Sequence, residues 1–292
     1  MDTISMTSSK RTLTAVALVV AGFALLYRQV IVKLVSDWYH DDNYSHGFLI
    51  VPLALYFVWE RREKLRSIPV APTSFGLVIV AGSVMLLIAG ILGSELFLTR
   101  ISILGTIVGA VLFLLGWQHL RALAFPVAFL LLMIPIPAII FNRIAFPLQL
   151  LASQFGESAM GLADVPVLRE GNVLILANTT LEVAEACSGI RSLVSLLTLA
   201  IVFGYFSDPR GWVRTILGLT SIPVAIVTNG FRVAGTGIAA HRFGAAAAEG
   251  FFHEFSGWLV FVAAFVLMLA VQRAIIRLAP TPTNALATPA AV

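Results

Sequence analysis

Cys187 is the only cysteine of the chain and sits in the run Glu185-Ala186-Cys187-Ser188-Gly189-Ile190-Arg191. Two later runs add a guanidinium and an imidazole, Asn229-Gly230-Phe231-Arg232 and His253-Glu254-Phe255-Ser256-Gly257. Together these are the parts of a cysteine-dependent acyl transfer. A thiolate attacks a carbonyl, a fixed cation holds the oxyanion, and an imidazole moves the proton. Each residue also has a plainer reading. A lone cysteine can be a small apolar packing residue, Arg232 can snorkel from the end of its span, and His253 can be a polar cap.

Three features favour a reactive Cys187. It has no disulfide partner in the chain, it is predicted at a helix N-terminus whose dipole favours a thiolate, and Arg191 follows at i+4 on the same face. Asn229 stands one turn before Arg232, and a polar neighbour beside a membrane-level Arg flags a functional site. His46, in Asn43-Tyr44-Ser45-His46-Gly47, is the rival of His253 as base. No His-x-x-x-His pair occurs and the histidines are scattered, so no metal site is expected.

The elements that must position these groups are membrane helices. Of 292 residues, 59% are hydrophobic and only 12% charged, about half the charge of a soluble domain. The net charge of +4 does not point to nucleic acid, because Lys and Arg fall mainly between apolar stretches. Eight stretches are predicted to span, at 13–35, 44–59, 75–92, 96–116, 120–136, 188–206, 213–231 and 256–276. None of them contains an acidic residue, which counts against a proton-coupled transporter. Basic residues in short loops set orientation, and the cluster Arg61 to Arg66 is the densest. Placing it in the cytoplasm puts both termini inside and Cys187, Arg232 and His253 at the outer face.

Two segments interrupt the rhythm. Residues 138–163 mix polar and apolar positions and are predicted as an amphipathic helix at the outer interface. Residues 165–183 alternate short β-rich runs with Gly-Asn and Asn-Thr punctuation, which predicts a small external hairpin or three-strand unit delivering the chain to Cys187. The fold expected is therefore an all-α polytopic membrane protein with a β-rich insert, one domain over 1–279 whose insert covers 138–186. The tail 280–292 is low in complexity and predicted disordered.

Taken in order, Tyr44-Ser45-His46-Gly47, Ile134-Pro135-Ile136-Pro137, Glu170-Gly171-Asn172, Ala186-Cys187-Ser188-Gly189, Asn229-x-x-Arg232 and His253-x-x-x-Gly257 resemble the exosortase family of bacterial membrane-embedded cysteine transpeptidases. The resemblance implies that Cys187 is the nucleophile, Arg232 the stabiliser of the intermediate and His253 the acid/base residue. It implies substrates that end in a Pro-Glu-Pro sorting signal, a transmembrane helix and a basic tail (PEP-CTERM), an unknown acceptor nucleophile, a link to exopolysaccharide, and no cofactor. It also implies the inner membrane as location, with the site on the periplasmic face. An outer-face Arg (Arg143, Arg169 or Arg191) is expected to pair with the glutamate of the signal. The rival reading is a non-catalytic transporter or scaffold of envelope polysaccharide export, for which Pro223 and the glycines from Gly230 to Gly237 would mark a broken helix.

Overall fold

Many large apolar side chains of the first half face outward, Leu25, Met85 and Leu92 among them, while Tyr27, Ile50, Phe57 and Leu112 form its interior. The computed structural model describes residues 2–183, 190–244 and 251–278. Glu185, Cys187 and the tail from 280 lie outside the described residues. The chain divides into two compact units, Met1–Ala138 and Ile139–Val292.

The first unit contains α1 (Asp2–His40), α2 (Gly47–Glu60), α3 (Arg62–Ser67), α4 (Phe75–Leu92), α5 (Leu96–Leu114) and α6 (Trp117–Phe129), which runs into a 3-10 turn, Leu130–Met133. On α4, Gly76, Ser83 and Gly90 recur every seven residues on the buried face, whereas Leu77, Val78, Met85 and Leu92 are exposed. Lipid tails are as apolar as leucine, so apolar burial does not drive pairing there; small residues do, by letting backbones approach. The partner is α5. A Cβ at Gly109 would lie 2.8 Å from the Val80 amide nitrogen, and one at Gly90 2.8 Å from Thr99 Cγ2. Some polar groups between helices find partners within the unit. Tyr27 of α1 is fully buried, with its hydroxyl 3.0 Å from the Ser102 carbonyl and 2.7 Å from Thr106 Oγ1 of α5.

The second unit begins with α7 (Ala138–Leu162), whose buried residues Phe141, Ala145, Gln149, Ala152, Ser153, Gly156 and Met160 form one stripe at helical spacing. Three short strands follow, β1 (Val167–Glu170), β2 (Val173–Leu176) and β3 (Thr180–Glu182), antiparallel in the order β1-β2-β3. Leu174 pairs with Arg169 on one side and Leu181 on the other. Then come α8 (Ile190–Ser207), α9 (Gly211–Phe243) and α10 (Phe251–Leu278). Leu174, Leu176 and Val183 from the sheet pack with Ala152 and Met160 of α7 and Val233 of α9 in one apolar cluster.

Five described helices are long and apolar enough to cross a membrane: Ala17–His40, Phe75–Leu92, Leu96–Leu114, Gly211–Phe243 and Phe255–Leu278. A sixth is reached if Trp117–Met133 and Ala138–Leu162 together make one broken span. The protein is thus a helical, multi-pass membrane protein, with five or six spans by length where the sequence reading expects eight. Part of the difference falls on Gly47–Glu60, an apolar helix of 14 residues. At 1.5 Å per residue the 14 residues of α2 cover only about 21 Å of a hydrocarbon core about 30 Å thick.

Two expectations need correction. Helix α1 continues past residue 35 to His40, so Asp37 falls within the first candidate span. It is ion-paired with Lys33 at 2.6 Å and with the buried Arg100 of α5. Nor does Arg232 end its helix, because α9 runs on for three further turns to Phe243.

The turn between α8 and α9 is held by charge. Asp208 is buried and accepts from Arg210 Nε at 2.9 Å, Arg210 Nη2 at 2.7 Å and the Arg210 amide at 2.8 Å. Arg214 donates to the Asp208 and Tyr205 carbonyls at 2.7 and 3.0 Å. The Arg210 side-chain hydrogen bonds hold the Asp208 carboxyl below the usual carboxylate range, with burial opposing them. A depressed folded-state value stabilises above the unfolded value of about 3.9 and loses that contribution as pH falls through the folded value. Asp208→Asn is therefore expected to lower the unfolding midpoint at neutral pH, with a difference from wild type that shrinks as the pH drops below about 3.9. Thermal unfolding in detergent over a pH series checks this, and a difference independent of pH would contradict it.

Candidate functional site

The first unit joins two of the motifs read from the sequence. Trp38 Nε1 donates to the Met133 carbonyl at 2.9 Å, and His46 Nε2 lies 3.1 Å from the Leu132 carbonyl. A carbonyl only accepts, so Nε2 carries the hydrogen and the tautomer is assigned by that contact. His46 is thus a strut between the Tyr44-Ser45-His46-Gly47 turn and the step at Ile134-Pro135-Ile136-Pro137. Tyr44 stacks obliquely near it, ring centroids 6.4 Å apart. Gly47 is buried, and a Cβ there would overlap the Trp38 indole.

In the second unit α7 and α9 approach through glycine. A Cβ at Gly230 would lie 2.6 Å from the Phe155 ring, and one at Gly156 2.8 Å from Val233 Cγ1. Phe155 also meets Phe231 edge-on at 5.0 Å. These contacts set the height of the Asn229-x-x-Arg232 turn of α9. Asn229 is 2% exposed and Arg232 half-buried. Helix α10 meets Arg232 at Gly257, where a Cβ would lie 3.4 Å from Arg232 Nη2 and 3.5 Å from Cζ. His253 is the third residue of α10, one turn before Gly257; its side chain lies outside the described residues.

The sheet leads toward the cysteine run through a clamp that sequence reasoning missed. Gly171, at φ +63°, makes the β1–β2 turn and sends its carbonyl to Ser153 Oγ at 2.9 Å. Asn172 then holds Val183 twice: its carbonyl accepts from the Val183 amide at 2.9 Å, and its Nδ2 donates to the Val183 carbonyl at 3.3 Å. The same Nδ2 lies 3.4 Å from Gln149 Oε1 of α7. Val183 is 1% exposed and is the last described residue before the run that carries Glu185 and Cys187. Asn178 in turn donates to the Ala240 carbonyl at 3.0 Å, binding the sheet to the end of α9. Gly-Asn is legible as a turn, but nothing local signals which carbonyl its amide will reach. Arg191 is the second residue of α8 and half-buried.

The described geometry thus brings Arg232 against Gly257 and ties Glu170-Gly171-Asn172 to the entrance of the cysteine run. Tyr44 and His46 belong to the first unit, and Asn229, Arg191 and Arg232 to the second. Among the described residues no group of three His, Cys, Asp or Glu side chains lies close enough to hold a metal ion. Arg169 is engaged with Glu157 at 2.7 Å and with the Gly171 carbonyl at 3.2 Å, while Arg143 is exposed on α7.

A multi-pass helical protein with these motifs in this order defines a class of membrane-embedded protein. The family model described as transmembrane exosortase matches residues 38–270, and the chain belongs to that family. Comparison with curated proteins and with solved structures gave no match.

Two substitutions test the supports. Asn172→Ala leaves the Val183 carbonyl without its side-chain donor and is expected to cost about 1–3 kcal/mol, read as a lowered unfolding midpoint. Gly47→Ala pushes the Trp38 indole away from Met133 and is expected to cost about 1–3 kcal/mol as overpacking. Unfolding midpoints equal to wild type would show that these contacts do not support the fold.

Proposed function

We propose that this protein is a membrane-embedded cysteine endopeptidase and transpeptidase that cleaves the C-terminal PEP-CTERM sorting signal of exported proteins. In this reading the Cys187 thiolate attacks the backbone carbonyl at the scissile bond, and Arg232 stabilises the resulting oxyanion. The tetrahedral intermediate collapses, the C–N bond breaks, and His253 delivers the proton to the leaving amine. The thioester on Cys187 is released by an acceptor nucleophile or by water, regenerating the thiol. The site faces the periplasm in the inner membrane and both termini are cytoplasmic. There a substrate helix lying beside the enzyme would present its signal at a high effective concentration.

The observation that carries this reading is family membership over residues 38–270, with Cys187, Arg232 and His253 all inside the match. Arg232 adds physical support. It is half-buried against the one position of α10 where the neighbour has no side chain, which suits a cation that must stay fixed while charge develops. Arg169 already carries Glu157, which leaves Arg143 and Arg191 as the candidates to meet the signal glutamate. The transporter reading draws no support from α9, which is a continuous helix through Gly230 to Gly237. Those two glycines make room for Phe155 and for Met160.

Co-expression with a tagged PEP-CTERM protein, followed by gel mobility, tests the mechanism. Wild type is expected to shorten the substrate and Cys187→Ala to leave it whole; equal processing by both would sink the cysteine mechanism. Arg232→Lys keeps charge but loses the planar fork, and a fall of about a hundredfold or more is expected, the scale of losing an oxyanion donor. Gly257→Val crowds the guanidinium and is expected to slow processing while the unfolding midpoint stays near wild type.

A further inference from the structure

We propose that the cleft between α1, α4 and α5 is a binding site for the phosphate headgroup of an anionic membrane lipid. The inference uses only the first unit and stands apart from the proposed catalytic function. The cleft has a volume of about 300 Å³ and is lined by Gln29, Lys33, Ser94 and Arg100, with Val30 and Ile91 as apolar walls. Arg100 is only 3% exposed; one nitrogen is ion-paired with Asp37, while its Nε is buried with no acceptor. An unmet donor at membrane depth is costly, and a ligand oxygen would satisfy it. Lys33 stands at the rim, its side chain 54% exposed.

Charge selects the ligand. Two cations, Lys33 and Arg100, share the single carboxylate of Asp37. Glu95 is turned to the Phe97 amide at 3.1 Å, at the N-terminus of α5, and does not line the cleft. Lys33 and Arg100 together exceed Asp37 by one positive charge, which favours an anion, and the Arg100 Nε without an acceptor is a donor for a phosphate oxygen. Surroundings select the source. The cleft opens where α4 ends and α5 begins, the level at which headgroups lie. Ile91 and Leu92 beside it are 59% and 82% exposed, a surface for acyl chains that a soluble anion would not use.

The full chain in nanodiscs of phosphatidylethanolamine with graded phosphatidylglycerol tests this, with retained lipid counted by native mass spectrometry. Wild type is expected to keep phosphatidylglycerol selectively. Lys33→Gln and Ser94→Asp, both at exposed positions, are expected to lower its retention roughly fivefold or more, the scale of one interfacial charge. Unfolding midpoints in discs lacking phosphatidylglycerol should match wild type, showing that both variants fold. Equal retention by wild type and both variants overturns the proposal. Stabilisation by inorganic phosphate with none by phosphatidylglycerol also overturns it, because the occupant would then be a free anion.

Discussion

Hydrocarbon offers no hydrogen bonds, so a polar group this chain carries into the membrane is costly unless it meets a partner. That constraint accounts for most of the specific contacts. Tyr27 reaches across to Ser102 and Thr106 because a phenol on a membrane helix has no water to turn to. Asp37 is held between Lys33 and Arg100 for the same reason. Trp38 and His46 donate to consecutive carbonyls freed where a 3-10 turn ends before Pro135.

The same constraint inverts the usual roles of large and small residues. Burial of leucine brings little in lipid, so close approach decides which helices pair. Gly76, Gly90 and Gly109 do this for α4 and α5, and Gly156 and Gly230 for α7 and α9. Gly257 extends the scheme to α10, since its missing side chain is the space beside Arg232. A glycine within a membrane helix here marks what stands opposite it.

The chain belongs to the transmembrane exosortase family, and the proposed acyl transfer would draw on two of these contacts. That proposed transfer needs a rigid frame for the cation and a held entrance to the nucleophile's segment. The frame is α9 gripped by α7 and α10. The chain enters the cysteine run from Val183, which Asn172 holds at both its amide and its carbonyl.

Much of this was legible in the chain itself. Composition alone requires a helical membrane protein, because so few charges cannot solvate so much apolar surface in water. The ordered motifs around His46, Cys187, Arg232 and His253 identify the family, since residue type and spacing survive without coordinates. Span number and ends were less legible: hydropathy reports what tolerates lipid, and it does not register that α2 stops after 14 residues or that α1 carries Asp37 inward. What only the tertiary structure decided is which residues meet across elements. His46 reaches the Leu132 carbonyl; Asn172 looked like a turn and acts as a clamp. Gly257 looked like a spacer and makes room for a guanidinium. Each of those contacts joins residues well apart in sequence, and long-range pairing is set by packing, which no local pattern encodes.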